Sequence, residues 1–225
     1  MTEEKNLYSA GIALIMEGDT EKYFYEEVLK RICKDNNITI EEKFNDEEGS
    51  TFYEIVKDNK ILLLKIKNAE TITQITNQFL WFKNFCHDKC NNINWSVVLC
   101  YDTDGNDFSI FKEADWKSLK EDIVSMQNVD LIDCYAHTDI EDLFLIDIDG
   151  IKNFLGISNN ITIKLRGRKG KVKLKNLYTD YTDKTYHEGR RALPLIQSLN
   201  LRKIINHPDN NVKKIEHLII SKVAN

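Results

Sequence analysis

The chain has 225 residues, of which 42% are hydrophobic and 30% charged, and its formal net charge is −5. That length suits one α/β domain, or a domain of about 150 residues with an appendage, and the charge content argues for a soluble protein. No run of about 20 apolar residues marks a membrane span, no signal-peptide core follows the charged Met1-Thr2-Glu3-Glu4-Lys5, and a cytoplasmic location is expected.

Residues 11–16 read as a strand buried on both faces. A helix follows from Thr20 to Cys33, where Phe24, Val28, Leu29 and Ile32 recur at helical spacing. Asp19 or Thr20 is expected to cap it. Residues 38–44 form a second strand, residues 45–50 an acidic turn, and residues 51–57 fit either a short helix or a strand. Residues 61–66 are another buried strand. A long helix is expected from Glu70 to His87, with Ile72, Ile75, Phe79 and Phe82 as its apolar stripe. Strands at 96–101 and 129–135 flank a helix at 116–126. Strand and helix alternate in the manner of a layered α/β sheet with right-handed crossovers.

After His137 the pattern turns helical, with segments at 140–148, 150–155, 171–180, 188–199, 201–206 and 210–223. Pro194 lies early in its helix, where proline is best tolerated. The expected organisation is an α/β domain over residues 1–150, with a mostly parallel sheet flanked by helices. A basic, C-terminal helical extension over 151–225 packs on it.

Charge is unevenly distributed. The segment from Lys164 to Arg191 holds ten basic and three acidic residues, so it carries +7 and the rest of the chain −12. A basic band on an acidic protein can hold a phosphate backbone while the acidic part holds metal; a solvated lysine-rich helix face gives the same pattern.

The five cysteines, at 33, 86, 90, 100 and 134, are odd in number and scattered, which disfavours a disulfide framework. The string Cys86-His87-Asp88-Lys89-Cys90 lacks a second ligand pair at zinc-finger spacing.

Two acidic clusters carry the chemistry. Glu17-Gly18-Asp19-Thr20-Glu21 follows the first strand, and Asp102-Thr103-Asp104-Gly105-Asn106-Asp107 follows the strand at 96–101. Both stand at the carboxyl edge of the expected sheet, where open α/β folds place their sites. Asp102 and Asp104, two apart in an extended segment, share a face and can bridge a divalent ion. Gathered carboxylates repel one another unless a cation sits between them, and magnesium prefers such oxygen ligands. The second cluster is not a calcium EF-hand loop, since Asp107 stands where that loop requires glycine. Arg166, Arg168, Lys169 and Lys171 are candidates to hold a nucleic-acid backbone or charge developing at a reacting phosphate. Tyr186-His187-Glu188-Gly189-Arg190-Arg191, with its two arginines Arg190 and Arg191, could add backbone contacts; a helix N-terminus with a surface histidine gives the same pattern.

Glu17-Gly18 and Asp102-Thr103-Asp104, in this order and context, resemble the Toprim domain. That domain occurs in topoisomerases, bacterial primases and the nucleases of the OLD and RloB-like families. The form Glu-Gly-x-Thr-Glu, Glu17 to Glu21 here, looks most like the nuclease branch, and the resemblance covers about residues 8–145. It implies a Toprim-like fold and a metal-dependent nuclease of antiphage defence acting on DNA or RNA. Two ions, Mg2+ or Mn2+, are implied: Glu17, Asp102 and Asp104 would bind one, and Glu21 and Glu141 would help hold the second. Glu141 is matched because relatives carry a glutamate at the start of the helix after this strand. A lysine among the basic residues is typical, Lys171 or Lys169 here; Lys171 is taken as catalytic beside Glu17, Asp102 and Asp104. The chain carries no Gly-x-x-x-x-Gly-Lys-Ser/Thr string, so the resemblance implies a separate ABC-type ATPase partner. A homo-oligomer stays open, as do a ribosomal-RNA-maturase-type Toprim ribonuclease and a non-catalytic nucleic-acid-binding or regulatory subunit.

Overall fold

Residues 7–224, apart from 46–48, 71–73, 75 and 104–109, are described by a computed structural model. Its central strand, β1 (Ala10–Met16), is buried along its whole length. It lies between β4 (Lys60–Asn68) and β5 (Trp95–Asp102), and is parallel to both. β5 in turn pairs in parallel with β6 (Val129–Ala136). On the other side β2 (Thr39–Asn45) and β3 (Ser50–Lys57) extend the sheet in antiparallel pairings, giving the order β2-β3-β4-β1-β5-β6. The fold is therefore α/β, with a six-stranded, mostly parallel sheet flanked by helices and a C-terminal helical region.

The two faces of β1 feed two cores. Ile12, Leu14 and Met16 join the core under α1 (Asp19–Asp35), while Ala13 and Ile15 join the opposite one. Alternation along a strand sends successive side chains to opposite faces, and both faces here are covered, which explains the unbroken apolar run. The opposite core is closed by α2 (Gln78–Phe82) and α3 (Ile110–Val124), through Trp81, Phe82, Trp116 and Leu119.

The segment at 51–57, open between helix and strand in the sequence, is strand β3. Its β-branched and aromatic residues suit a pleated surface, and Tyr53 and Ile55 are buried while Glu54 and Val56 are less so. The helix expected over 70–87 is shorter. Glu70 adopts a positive φ of 65° and its N–H donates to Asn68 Oδ1 at 2.7 Å, so the chain turns where a helix was expected to begin. Regular helix starts at Gln78 and passes into a π-helical turn over Lys83–His87. Ile72 and Ile75, expected on its stripe, lie outside the described residues. On that turn Cys86 is buried, and His87 Nδ1 lies 3.2 Å from Asp88 Oδ1.

Beyond β6 come α4 (Ile140–Phe144), a 3-10 turn (Leu145–Asp147) and α5 (Ile148–Leu155). Then follow α6 (Gly170–Tyr181), a 3-10 turn (Gly189–Ala192), α7 (Leu193–Ser198), α8 (Leu201–Ile205) and α9 (Lys213–Ala224). The continuous helix expected over 188–199 is thus a 3-10 turn leading into α7, with Pro194 in the first turn of α7, where its missing N–H costs nothing. Leu174, Leu177, Ile196, Ile204 and Ile219 share one core with β1 and α1. Among the described residues no helix is long and apolar enough to cross a membrane.

Candidate active site

Parallel pairing decides what meets at the sheet's carboxyl edge. Met16 is in register with Cys100, and Cys100 with Cys134, so β1, β5 and β6 end side by side. The residues that leave them, Glu17, Asp102 and the Asp139–Glu141 segment, therefore converge although they are far apart in sequence. Glu17 N–H donates to Cys100 O at 3.3 Å, and Asp102 N–H donates to Glu17 Oε2 at 3.4 Å. The first acidic motif is thereby laid against the second.

These residues line a cleft of about 680 Å³, within the size range of sites that take small molecules or a nucleotide unit. Its wall comprises Glu17 to Glu21, Glu70, Asp102, the Asp139–Glu141 segment, Lys169, Lys171, Glu188 and Gly189. Eight acidic residues and two lysines thus line it. Of the expected site residues, Glu17, Glu21, Asp102, Glu141, Lys169 and Lys171 are brought together here. Asp104 lies outside the described residues.

The helix that follows Glu17 is not capped as expected. Its N-cap is Gly18, without a side-chain cap bond. Asp19 instead accepts from Asn68 Nδ2 at 2.7 Å, and Thr20 Oγ1 accepts from Gly189 N–H at 2.8 Å. Both side chains are spent on joining α1 to neighbouring segments rather than on its own first turn. Gly189 itself has φ +64°, a conformation that glycine enters without steric cost. Glu21 is buried in that first turn and faces the cleft.

Glu141, 3% exposed, accepts a 2.7 Å hydrogen bond from the buried Tyr186 hydroxyl. Burial is the main cause that pushes its carboxyl up to about 7; Tyr186 works in the other direction, and the nearby Asp139 charge adds to the rise. Burial likewise drives the Tyr186 phenol far above its ordinary value, so it stays a donor.

Asp139 holds the lysine-bearing helix in place. Its Oδ1 accepts from Asp142 N–H at 3.2 Å, capping α4, and its Oδ2 accepts from Lys171 N–H at 3.0 Å, in the first turn of α6. The two helix starts touch at Gly170, where an added Cβ would lie 2.3 Å from both Asp139 Oδ1 and the Asp142 nitrogen. Only glycine permits that approach.

The basic band is largely engaged. Lys171 Nζ lies 2.5 Å from Glu188 Oε2. Burial pulls its pKa down, but the Glu188 bond and charge outweigh that and raise it. Lys173 pairs with Asp142 at 2.8 Å, and Arg166 with Asp180, at 3.0 Å through its Nε. Arg168, Arg190 and Arg191 are exposed and do not belong to the cleft wall. Asp139 and Gly170 were not singled out as site residues from sequence, and Tyr186 and Glu188 were read only as part of a string that could add backbone contacts. For the first two the one available signal was their place beside motifs already chosen: Asp139 two residues before Glu141, Gly170 between Lys169 and Lys171.

Among the described residues no group of three or more His, Cys, Asp or Glu side chains is drawn together tightly enough to hold a metal ion by itself. The donor set nevertheless fits a hard cation. It is all oxygen, and magnesium ordinarily keeps several waters and takes one or two carboxylates plus substrate phosphate.

No protein-family model matches the chain, and no curated protein matches it. A solved structure of a futalosine hydrolase mutant of Helicobacter pylori strain 26695 shows a weak likeness, at 8% identity and a TM-score of 0.29 over 96% of this chain and 98% of that one. A likeness at that level carries no argument about fold or activity.

Proposed function

We propose that the chain is a metal-dependent nuclease that hydrolyses phosphodiester bonds of DNA or RNA. The observation that carries this reading is the cleft at the carboxyl edge of the sheet, lined by eight acidic residues and two lysines. Such an excess of acid supplies the oxygen ligands that hard cations such as magnesium take. Glu17, Asp102 and Asp104 would hold one Mg2+ or Mn2+, and Glu21 and Glu141 would help hold a second. When bound, the ions lower the pKa of an attacking water and offset charge on the leaving oxygen.

The residues of the chain do the rest. Lys171 presents an ammonium at the cleft and offsets charge at the reacting phosphate. Asp139 keeps the start of α6, and with it Lys171, against α4. Tyr186 holds the Glu141 carboxyl in one orientation. Glu17, fixed against the backbone of Asp102, is placed to position the water or to take its proton. The resemblance to OLD and RloB-like nucleases extends the proposal to antiphage defence with a separate ABC-type ATPase.

The test is incubation of the purified chain with plasmid DNA, single-stranded DNA and total RNA, each with magnesium, manganese or EDTA. Cleavage of at least one substrate that requires metal and is lost in Glu17→Gln supports the reading. Nucleic-acid binding without any metal-dependent cleavage moves the chain to the class of binding or regulatory subunits.

A further inference from the structure

We propose that Lys171 and Lys175 form a phosphate-binding site which Glu188 fills as an internal counter-ion and yields to the incoming backbone. This rests on the nuclease reading of the cleft, whose charge handling it specifies. Glu188 Oε2 lies 2.5 Å from Lys171 Nζ, and Oε1 lies 3.5 Å from Lys175 Nζ. One carboxylate thus spans two ammonium groups, an oxygen to each, as two oxygens of a phosphate would. The lysines are four residues apart on α6 and so share one face of it.

Glu188 is delivered to this position by its neighbour. The Gly189 N–H is bound to Thr20 Oγ1 at 2.8 Å, both residues lining the cleft, and its positive φ sets the turn. Glu188 therefore stands over the lysines on an anchored turn. The contact is nevertheless easily exchanged. The side chains of Lys171, Lys175 and Glu188 are 39%, 47% and 42% exposed, and ion pairs so wetted contribute little. A phosphodiester brings one negative charge where another leaves, and the displaced carboxylate returns to water. Without a phosphate, Glu188 keeps both ammonium groups matched.

The experiment is a calorimetric titration of the full chain with inorganic pyrophosphate in EDTA, comparing wild type, Glu188→Gln and Glu188→Ala. Both variants alter a half-exposed side chain, and thermal melting confirms their fold. Removing the internal competitor is expected to tighten pyrophosphate binding about three- to tenfold. Adding Lys175→Met to Glu188→Gln is expected to return it toward wild type. Unchanged or weaker binding in the Glu188 variants overturns the proposal, as does binding detectable in none of the proteins. Because the titration needs neither metal nor cleavage, its outcome is separable from the nuclease reading. Tightening with no metal-dependent cleavage of any nucleic acid keeps the phosphate site and sinks that reading; cleavage without tightening does the opposite.

Discussion

The backbone N–H of Lys171 donates to Asp139 Oδ2 over 3.0 Å, while the other oxygen of the same carboxylate caps α4. One buried side chain therefore closes the first turns of two helices that carry Glu141 and Lys171 to the same cleft. Loss of one such cap costs about 1 kcal/mol. Asp139→Ala is expected to lose about 2 kcal/mol of stability, read by urea unfolding. Burial raises the Asp139 pKa, which sets a desolvation cost against the caps and makes that figure an upper one. Asp139→Asn, which keeps one acceptor, should lose less.

Gly170 sits where these two helix starts meet. A methyl group there would press on backbone as well as on Asp139. Gly170→Ala is expected to destabilise the chain by about 1–3 kcal/mol through overpacking, although alanine favours helix elsewhere. A melting temperature equal to or above wild type would show that the helix starts are not in contact.

Glu17 and Asp102 meet through the 3.4 Å contact between the Asp102 N–H and Glu17 Oε2. Glu17→Gln and Asp102→Asn keep the shape and remove the charge. Each is expected to lower metal-dependent cleavage by about a hundredfold or more, with circular dichroism and melting close to wild type. Retained cleavage in both would remove these carboxylates from the chemistry.

Glu141 should make stability depend on pH in the direction opposite to an ordinary carboxylate. Its pKa is raised from 4.5 to about 7 in the folded chain, chiefly by burial. The protonated form is thus the one that folding favours. The resulting contribution is fully present below pH 4.5 and is lost as pH rises through about 7; the upper limit of the loss is about 3 kcal/mol. In EDTA, Glu141→Gln should therefore gain stability relative to wild type at pH 8 and show little difference at pH 5. Denaturant unfolding at the two pH values measures this, and a difference of equal size at both would contradict it.

The basic residues should separate by their place relative to the cleft. Lys171 and Arg166 are both ion-paired, but Lys171, on Glu188, belongs to the cleft wall, and Arg166, on Asp180, does not. Lys171→Ala is expected to weaken nucleic-acid binding across sequences and to reduce the salt slope by about 0.7–0.9. Arg166→Ala should change the slope less. Binding isotherms at several salt concentrations give both slopes.

Much of the architecture is legible along the chain, because a strand buried on both faces leaves an unbroken apolar run. Ile12 to Met16 and Ser96 to Tyr101 show this directly, and the helix behind Phe24, Val28, Leu29 and Ile32 shows its period equally well. Where local preference and packing pull apart, the chain is less readable. The stripe through Ile72, Ile75 and Phe79 has helical spacing, yet Glu70 turns at a positive φ and regular helix begins at Gln78. Residues 51–57 needed the neighbours β2 and β4 to settle as strand.

Which carboxylates stand at strand ends is readable along the chain, since Glu17 and Asp102 each follow an apolar run at once. So is the gathering of lysines and arginines between Lys164 and Arg191. Which of these groups meet is set by the folded chain. Parallel register sets Glu17 beside Asp102. A shared cap on Asp139 and the absence of a side chain at Gly170 bring Lys171 to the cleft. A turn anchored on Thr20 sets Glu188 against Lys171. Residues 17 to 169 positions apart make these contacts, and no local periodicity encodes a contact at such separations. Strand order, helix docking and the space left by one missing methyl group do.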